Sequence, residues 1–381
     1  MKLTIKHFKC FSDVTVQFGQ LTVLAGANSV GKSTVVQALL LARTIVEKYR
    51  NSESWTGMKE GKNVMFPSDN FSLNGPFHLN LGNTIEVLNR NAYDNKIGFS
   101  FEFGKDRRLG FIFAVPDKED AYSLVLDDIR LSKASSLEDL PLTNFFFYYL
   151  NAERLGPRIR HEVDDLPYLH TGWQGEYAIQ IVGGNKTLPM SEDRCFDATQ
   201  TTHLLEQSRL WLENIVPGAN LGNAEIIKGI KTAEVDYEKS KPPNIGFGIS
   251  YVLPIIVNGL IASEGSMFIV ENPEAHLHPY GQSQIGKFLA KIASTGVQVV
   301  VETHSEHVIN GIRIATLNGT IANESVFINF FQREGGEVKV NPIRVNEAGD
   351  LTAYPKGFFD QEQRDIAEII RQKRRKMEEN P

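Results

Sequence analysis

Residues 21–41 read LTVLAGANSVGKSTVVQALLL, and the fold is decided there. Gly26-Ala27-Asn28-Ser29-Val30-Gly31-Lys32-Ser33 matches G-x-x-x-x-G-K-[ST] in full. The apolar run Leu21 to Ala25 predicts a short buried strand, and Ser33 to Arg43 has helical periodicity with no Pro or Gly. Strand, glycine loop and helix make a phosphate cradle. The glycines let backbone N–H groups turn inward, and the helix adds its positive N-terminal end. Lys32 is then placed to reach β- and γ-phosphates, and the Ser33 hydroxyl to ligate Mg²⁺.

Working outward, composition sets bounds. A chain of 381 residues with 41% hydrophobic content can bury a sizeable core and form two or three domains, or one large α/β domain with an insertion. Cys10 and Cys195 lie far apart with no C-x-x-C, which argues against a disulfide framework or a structural zinc site and fits a reducing cytoplasm. No apolar run of 18 residues and no signal-peptide block occurs, so a cytoplasmic, membrane-free protein is expected. The net charge of −6 does not favour nucleic acid globally; a local basic patch would be needed.

Residues 1–20 alternate apolar and polar as a hairpin would, with Lys6, His7 and Lys9 near its turn, either solvated or touching nucleotide or DNA. Residues 50–80 read as an exposed loop. Strands are expected at 77–81, 84–88, 97–103, 109–115 and 121–131, which suggests an antiparallel sheet beside the loop. Phe145 to Leu150 is a buried strand running into NAERLGPR (151–158), a strand-end cluster where α/β proteins place ligand contacts, or an ordinary strand-to-loop transition. Residues 160–245 read as a helical insertion, without sustained a/d heptads for a long coiled coil. Gly246-Phe247-Gly248-Ile249-Ser250 opens an apolar helix, as an anion-binding end or a simple cap. Two further buried strands end in acids: Met267 to Val270 in Glu271-Asn272-Pro273-Glu274, and Val297 to Val301 in Glu302-Thr303-His304. An acid at a strand end opposite the phosphate loop is what an NTPase needs to hold Mg²⁺, and a histidine there can hydrogen-bond a γ-phosphate or the attacking water. His276 and His278 have no third ligand nearby in sequence for a metal.

In order, GANSVGKS, NAERLGPR, GFGIS, FIVENPEAHLHP and VVVETHSEH resemble the ABC-type ATPase heads of the RecF, SMC and OLD group. They are most similar to bacterial AAA-family ATPases marked by ENPEAHLHP and a small C-terminal domain of unknown function, relatives of Septu-type phage-defence ATPases. The resemblance implies an α/β P-loop NTPase head with an antiparallel β subdomain and a helical insertion. It places the ATP-binding Walker A loop at Gly26 to Thr34 (Asn28, Ser29, Gly31, Lys32, Ser33 and Thr34 among them), the Q-loop position at Glu153 and the signature at Gly246, Gly248 and Ser250. Glu271 falls at the Walker B acid, a Mg²⁺ ligand with Ser33, and His304 at the switch histidine. Asn272 stands where most such heads carry the water-polarising glutamate, so either Glu274 takes that role or turnover is slow. The 77 residues after His304 are too few for the Toprim nuclease of OLD proteins and read as two strands, a turn and a helix from Gln361, whose basic end RQKRRK (371–376) is a solvated helix end or a contact for nucleic acid or a partner.

The expected division is an ATPase lobe at 1–150, an insertion at 151–245, a second ATPase lobe at 246–320 and a small β/α region at 321–381. The expected function is a slow, dimerising switch ATPase using ATP and Mg²⁺, with two ATP molecules sandwiched in a head-to-head homodimer. Such a switch would control an effector partner, a nuclease or toxin encoded nearby, in antiphage defence. A RecF- or SMC-like ATPase that binds nucleic acid in DNA maintenance, and a non-hydrolysing scaffold stabilised by ATP, are the competing readings.

Overall fold

The apolar runs at 267–270 and 299–301 show no polar alternation, so as strands they must be covered on both faces. The computed structural model describes residues 1–59, 65–104, 106–118, 120–132, 140–237 and 246–379, and both runs lie inside its central sheet. That sheet orders its strands as Glu337–Arg344, Val326–Glu334, Leu21–Gly26, Gln298–Thr303, Met267–Glu271 and Phe147–Leu150. All neighbours are parallel except Glu337–Arg344, which runs antiparallel at the edge.

Alternate residues of these strands feed two cores. Leu21, Val23, Phe268, Val270, Val299 and Val301 face helices Leu204–Ile215, Phe247–Ile261, Pro279–Ser294 and Glu306–Leu317. Leu24, Met267, Ile269 and Val300 face the P-loop helix Lys32–Tyr49 and a second, antiparallel sheet. The second sheet orders Phe11–Gln17, Lys2–Phe8, Lys96–Phe103, Arg107–Ala114, Ser123–Ser132 and Asn70–Ser72, the antiparallel subdomain expected from the strand-rich sequence. Arg43 fixes the P-loop helix to the central sheet: buried, it donates to the carbonyls of Leu142, Asn144 and Phe145 and lies 4.7 Å from the centre of the Phe147 ring.

Three segments differ from expectation. Residues 77–81 and 84–88 are not strands: Pro76–His78 is a 3₁₀ turn and Thr84–Val87 a helical turn. The latter starts with a capping box in which Asn83 and Glu86 bond each other's backbone N–H, a signal present in the sequence as Asn followed three residues later by Glu. Residues 50–80 are not merely an exposed loop, because helix Glu53–Lys59 buries Trp55 and Met58, and Phe71 is buried in the subdomain. Between 151 and 237 the insertion holds helices Ala178–Gly184 and Leu204–Ile215 and also a three-stranded sheet of Leu221–Ile227, Thr232–Tyr237 and Arg160–Glu162. It packs into the main core, with the Trp211 ring 4.9 Å from that of Phe288. Among the described residues no helix is long and apolar enough to cross a membrane.

Candidate nucleotide site

The site forms at the carboxyl ends of the parallel strands, where the P-loop turns into its helix. Ser29 and Gly31 adopt φ of 60° and 98°. A Cβ on Gly31 would sit 2.5 Å from the Phe11 ring, and one on Gly26, at φ 140°, would sit 2.3 Å from the Phe331 carbonyl oxygen; only glycine fits either position. The helix Lys32–Tyr49 starts without a side-chain cap, leaving the first-turn N–H groups for the loop to present. Lys32 Nζ donates to the carbonyls of Gly26 and Ala27 at 3.0 and 2.6 Å. Burial lowers its pKa, opposed by the charges of Glu302 and Glu274. Asn28 and Ser29 are exposed on the loop, while Thr34 is buried against Cys10.

A cleft of 1020 Å³ opens along this loop, lined by Lys9, Ser29, Lys32, Gln37, Asn89 and Arg333 among others. Lys9, set at the hairpin turn with φ 52°, donates to Gln37 at 2.9 Å and belongs to the cleft. His7 does not: it is buried and bonded through Nδ1 to Asp94 and the Lys96 carbonyl.

The carboxylate bonded to Ser33 is that of Glu302, at 2.7 Å. Strand order explains this. Gln298–Thr303 lies directly beside the P-loop strand, with Glu302 in register with Leu24, whereas Glu271 is one strand further out, in register with Glu302. Glu302 Oε2 is buried with no hydrogen-bond partner. Glu271 accepts from the Tyr149 hydroxyl at 2.9 Å. Burial and then the negative charge of Glu302 raise its carboxyl to about 7, and burial raises that of Glu302 as well. Burial and the charge of Glu271 push the Tyr149 hydroxyl far up, so it stays protonated and donates.

Magnesium fits this donor set. It takes oxygen ligands, one or two carboxylates together with substrate phosphates. The Ser33 hydroxyl and the two carboxylates supply them, and the unpaired Glu302 Oε2 is a buried acceptor still short of a partner.

The loop after Glu271 is held from three sides. Asn272 has φ 44°, a left-handed conformation that asparagine tolerates better than most residues, and its Oδ1 is buried without a partner. Arg154, buried, donates to the carbonyls of Asn151, Glu271 and Asn272, the last two at 2.7 and 2.6 Å, and lies 5.2 Å from the centre of the Tyr251 ring. Burial lowers its pKa to about 10, which leaves it charged at neutral pH. Glu274 accepts from the Thr303 hydroxyl and from the His304 N–H, both at 2.7 Å, bridging the two strand-end loops. His304 is exposed at its tip, and burial of the ring and the charge of Lys32 lower its pKa.

Two expected site groups lie apart from the loop. Glu153 is exposed, and the neighbour that turns inward is Arg154. Gly246, the cap of helix Phe247–Ile261, and Gly248 line a different cleft, with Ile249, His276, His278 and Tyr280. Ser250 lies in the first turn of that helix and is half-buried. Sequence reasoning did not place Glu302, Arg154 or Tyr149 in the site. Glu302 carried the same signal as Glu271, an acid closing an apolar run, but the order of the strands chooses between them.

The family model described as AAA ATPase domain matches residues 1–119 and 205–309, together more than half of the chain. A second model, Protein of unknown function (DUF3696), matches residues 321–369. Among solved structures the chain is similar to an SMC head bound to the C-terminal winged-helix domain of ScpA, at 15% identity and TM-score 0.48, covering 91% of this chain and 98% of that one. It is also similar to the SMC head domain of Thermotoga maritima, at 13% identity and TM-score 0.40 with 90% and 97% covered. A third is an SMC head with an extended coiled coil bound to the C-terminal domain of ScpA, derived from Pyrococcus furiosus, at 12% identity and TM-score 0.45 with 97% and 98% covered. No curated protein matches the chain significantly.

Proposed function

The chain belongs to the AAA ATPase domain family, and from that premise we propose that it is a slow switch ATPase whose ATP-bound heads pair and control an effector protein. The observation that carries the ATP chemistry is the Ser33–Glu302 hydrogen bond beside Lys32, which joins the phosphate cradle to a buried carboxylate with one acceptor left over. Lys32 and the P-loop N–H groups would bind the phosphates, and Ser33, Glu302 and Glu271 would hold Mg²⁺, which would supply charge neutralisation on the phosphates. Asn272 cannot accept a proton, so water activation falls to Glu274 and His304. Glu274 fixes the backbone of His304 through a 2.7 Å bond, and the lowered pKa of His304 leaves its ring neutral near pH 7, able to donate or accept.

Pairing is supported by the signature residues Gly246 and Gly248, which line a cleft separate from the P-loop cleft of the same chain; a second copy is what could bring the two together. Control of a nuclease or toxin in antiphage defence is supported by the resemblance of the ENPEAHLHP segment. Lys32→Ala tests the reading at its base. Calorimetric ATP binding should be lost together with every partner-dependent activity, and wild-type ATP affinity in this variant would refute the assignment.

A further inference from the structure

Helix Gln361–Glu379 lies outside everything described so far: each of its described side chains is exposed. Ile366, Ile369 and Ile370 are 50, 53 and 48% exposed and, at spacings of three and four, share one face. Arg364 pairs with Asp360 and Arg371 with Glu368 along the helix, so local ion pairs support it. Most of a helix's stability in a protein comes from packing its amphipathic face, and three isoleucines on one face call for a cover.

The charge pattern says what covers it. Glu362, Asp365 and Glu368 lie in the first half together with Arg364, which Asp360 neutralises, and Arg371, Lys373, Arg374, Arg375 and Lys376 fill the second ahead of Glu378. We propose that this helix pairs antiparallel with the same helix of a second copy of the chain. With the two-fold axis at Ile369, Asp365 faces the partner's Lys373 and Glu362 the partner's Lys376, twice by symmetry, while the isoleucines close the centre. A parallel pair would set like charges opposite each other. An anionic membrane surface would meet three acids on the apolar half of the helix, and a nucleic acid would use the basic half and leave the isoleucines uncovered.

The pairing is independent of the ATP site, so the test is run on the full chain without nucleotide and in the Lys32→Ala background. Sedimentation should show a dimer in both. Ile369→Glu should give a monomer. Asp365→Lys or Lys373→Asp alone should weaken dimerisation about tenfold, and the two together should restore it, an outcome that does not depend on whether Ile369→Glu disturbs the helix. A monomeric wild type at every concentration overturns the proposal. So does a double charge exchange no tighter than either single one, or a wild-type chain that stays monomeric while this helix binds phosphatidylserine vesicles or an oligonucleotide.

Discussion

Glu302 and Glu271 are two acids with one sequence signature, and their surroundings separate their roles. Glu302 already holds the Ser33 hydroxyl and keeps one oxygen unpaired, whereas Glu271 is engaged by the Tyr149 hydroxyl. Glu302→Gln should therefore weaken Mn²⁺ binding, measured by electron paramagnetic resonance with a non-hydrolysable ATP analogue present, by roughly 10–100-fold, the range seen when a partner of a metal ligand is removed. Glu271→Gln should weaken it less; the reverse ranking would return the metal-holding role to Glu271. Glu274 presents a different problem, since both its oxygens accept bonds that hold the Thr303–His304 turn. Glu274→Gln can still accept from the His304 N–H but turns an amide toward the Thr303 hydroxyl. Steady-state ATP turnover should fall about 10²-fold or more with ATP affinity unchanged, and an unchanged rate removes Glu274 from the chemistry.

The elements around the site carry their own charges and titrations. Arg154 spans the strand-end loop and helix Phe247–Ile261 with a planar fork that an ammonium cannot reproduce. Arg154→Lys should strand buried carbonyls and cost roughly 1–3 kcal/mol in urea unfolding; a stability equal to wild type would mean the fork is dispensable. In the insertion, His170 stacks on Trp173 with ring centres 5.3 Å apart and accepts the Gly172 N–H through Nδ1, so it is held neutral. Burial lowers its pKa to about 4 from an ordinary 6.5. A pKa depressed in the folded state means the unfolded chain binds the extra proton first. This contribution is thus complete above pH 6.5 and is lost as pH falls from 6.5 towards 4. His170→Gln should flatten the fall of the urea midpoint over that window, and an unchanged slope would assign the acid sensitivity elsewhere. His161, also lowered to about 4 by burial, adds in the same direction. These elements show what the sequence made legible. The P-loop, the FIVE and VVVET strands and the GFGIS helix start were readable because apolar runs, glycines and caps act locally. Strand order is a long-range property, so the choice of Glu302 at Ser33 was not readable. The three-stranded sheet of the insertion was missed although Thr232–Tyr237 alternates polar and apolar residues as a half-buried strand does; its third strand, Arg160–Glu162, joins it only through long-range pairing.

At the scale of the whole molecule the two proposed contacts between copies have different causes and must be separated to be tested. The helix Gln361–Glu379 would join two chains with or without nucleotide, so mass alone cannot report ATP-driven pairing of the heads in the unaltered protein. The Ile369→Glu chain removes that link while leaving the site untouched, because the exposed face of this helix has no part in either cleft. In that background, combined with Glu274→Gln to slow turnover, light scattering should give one chain without nucleotide and two with ATP and Mg²⁺. Ser250→Arg added to it should keep ATP bound at Lys32 but hold the mass at one chain. Ser250 sits in the first turn of the helix whose start lines the second cleft and is not among the residues lining the P-loop cleft, so a large cation there should block a neighbour and not the chain's own nucleotide. If ATP leaves the Ile369→Glu chain monomeric, the signature cleft is not half of a shared site and the heads act singly. If Ser250→Arg still doubles in mass, the heads pair through another surface.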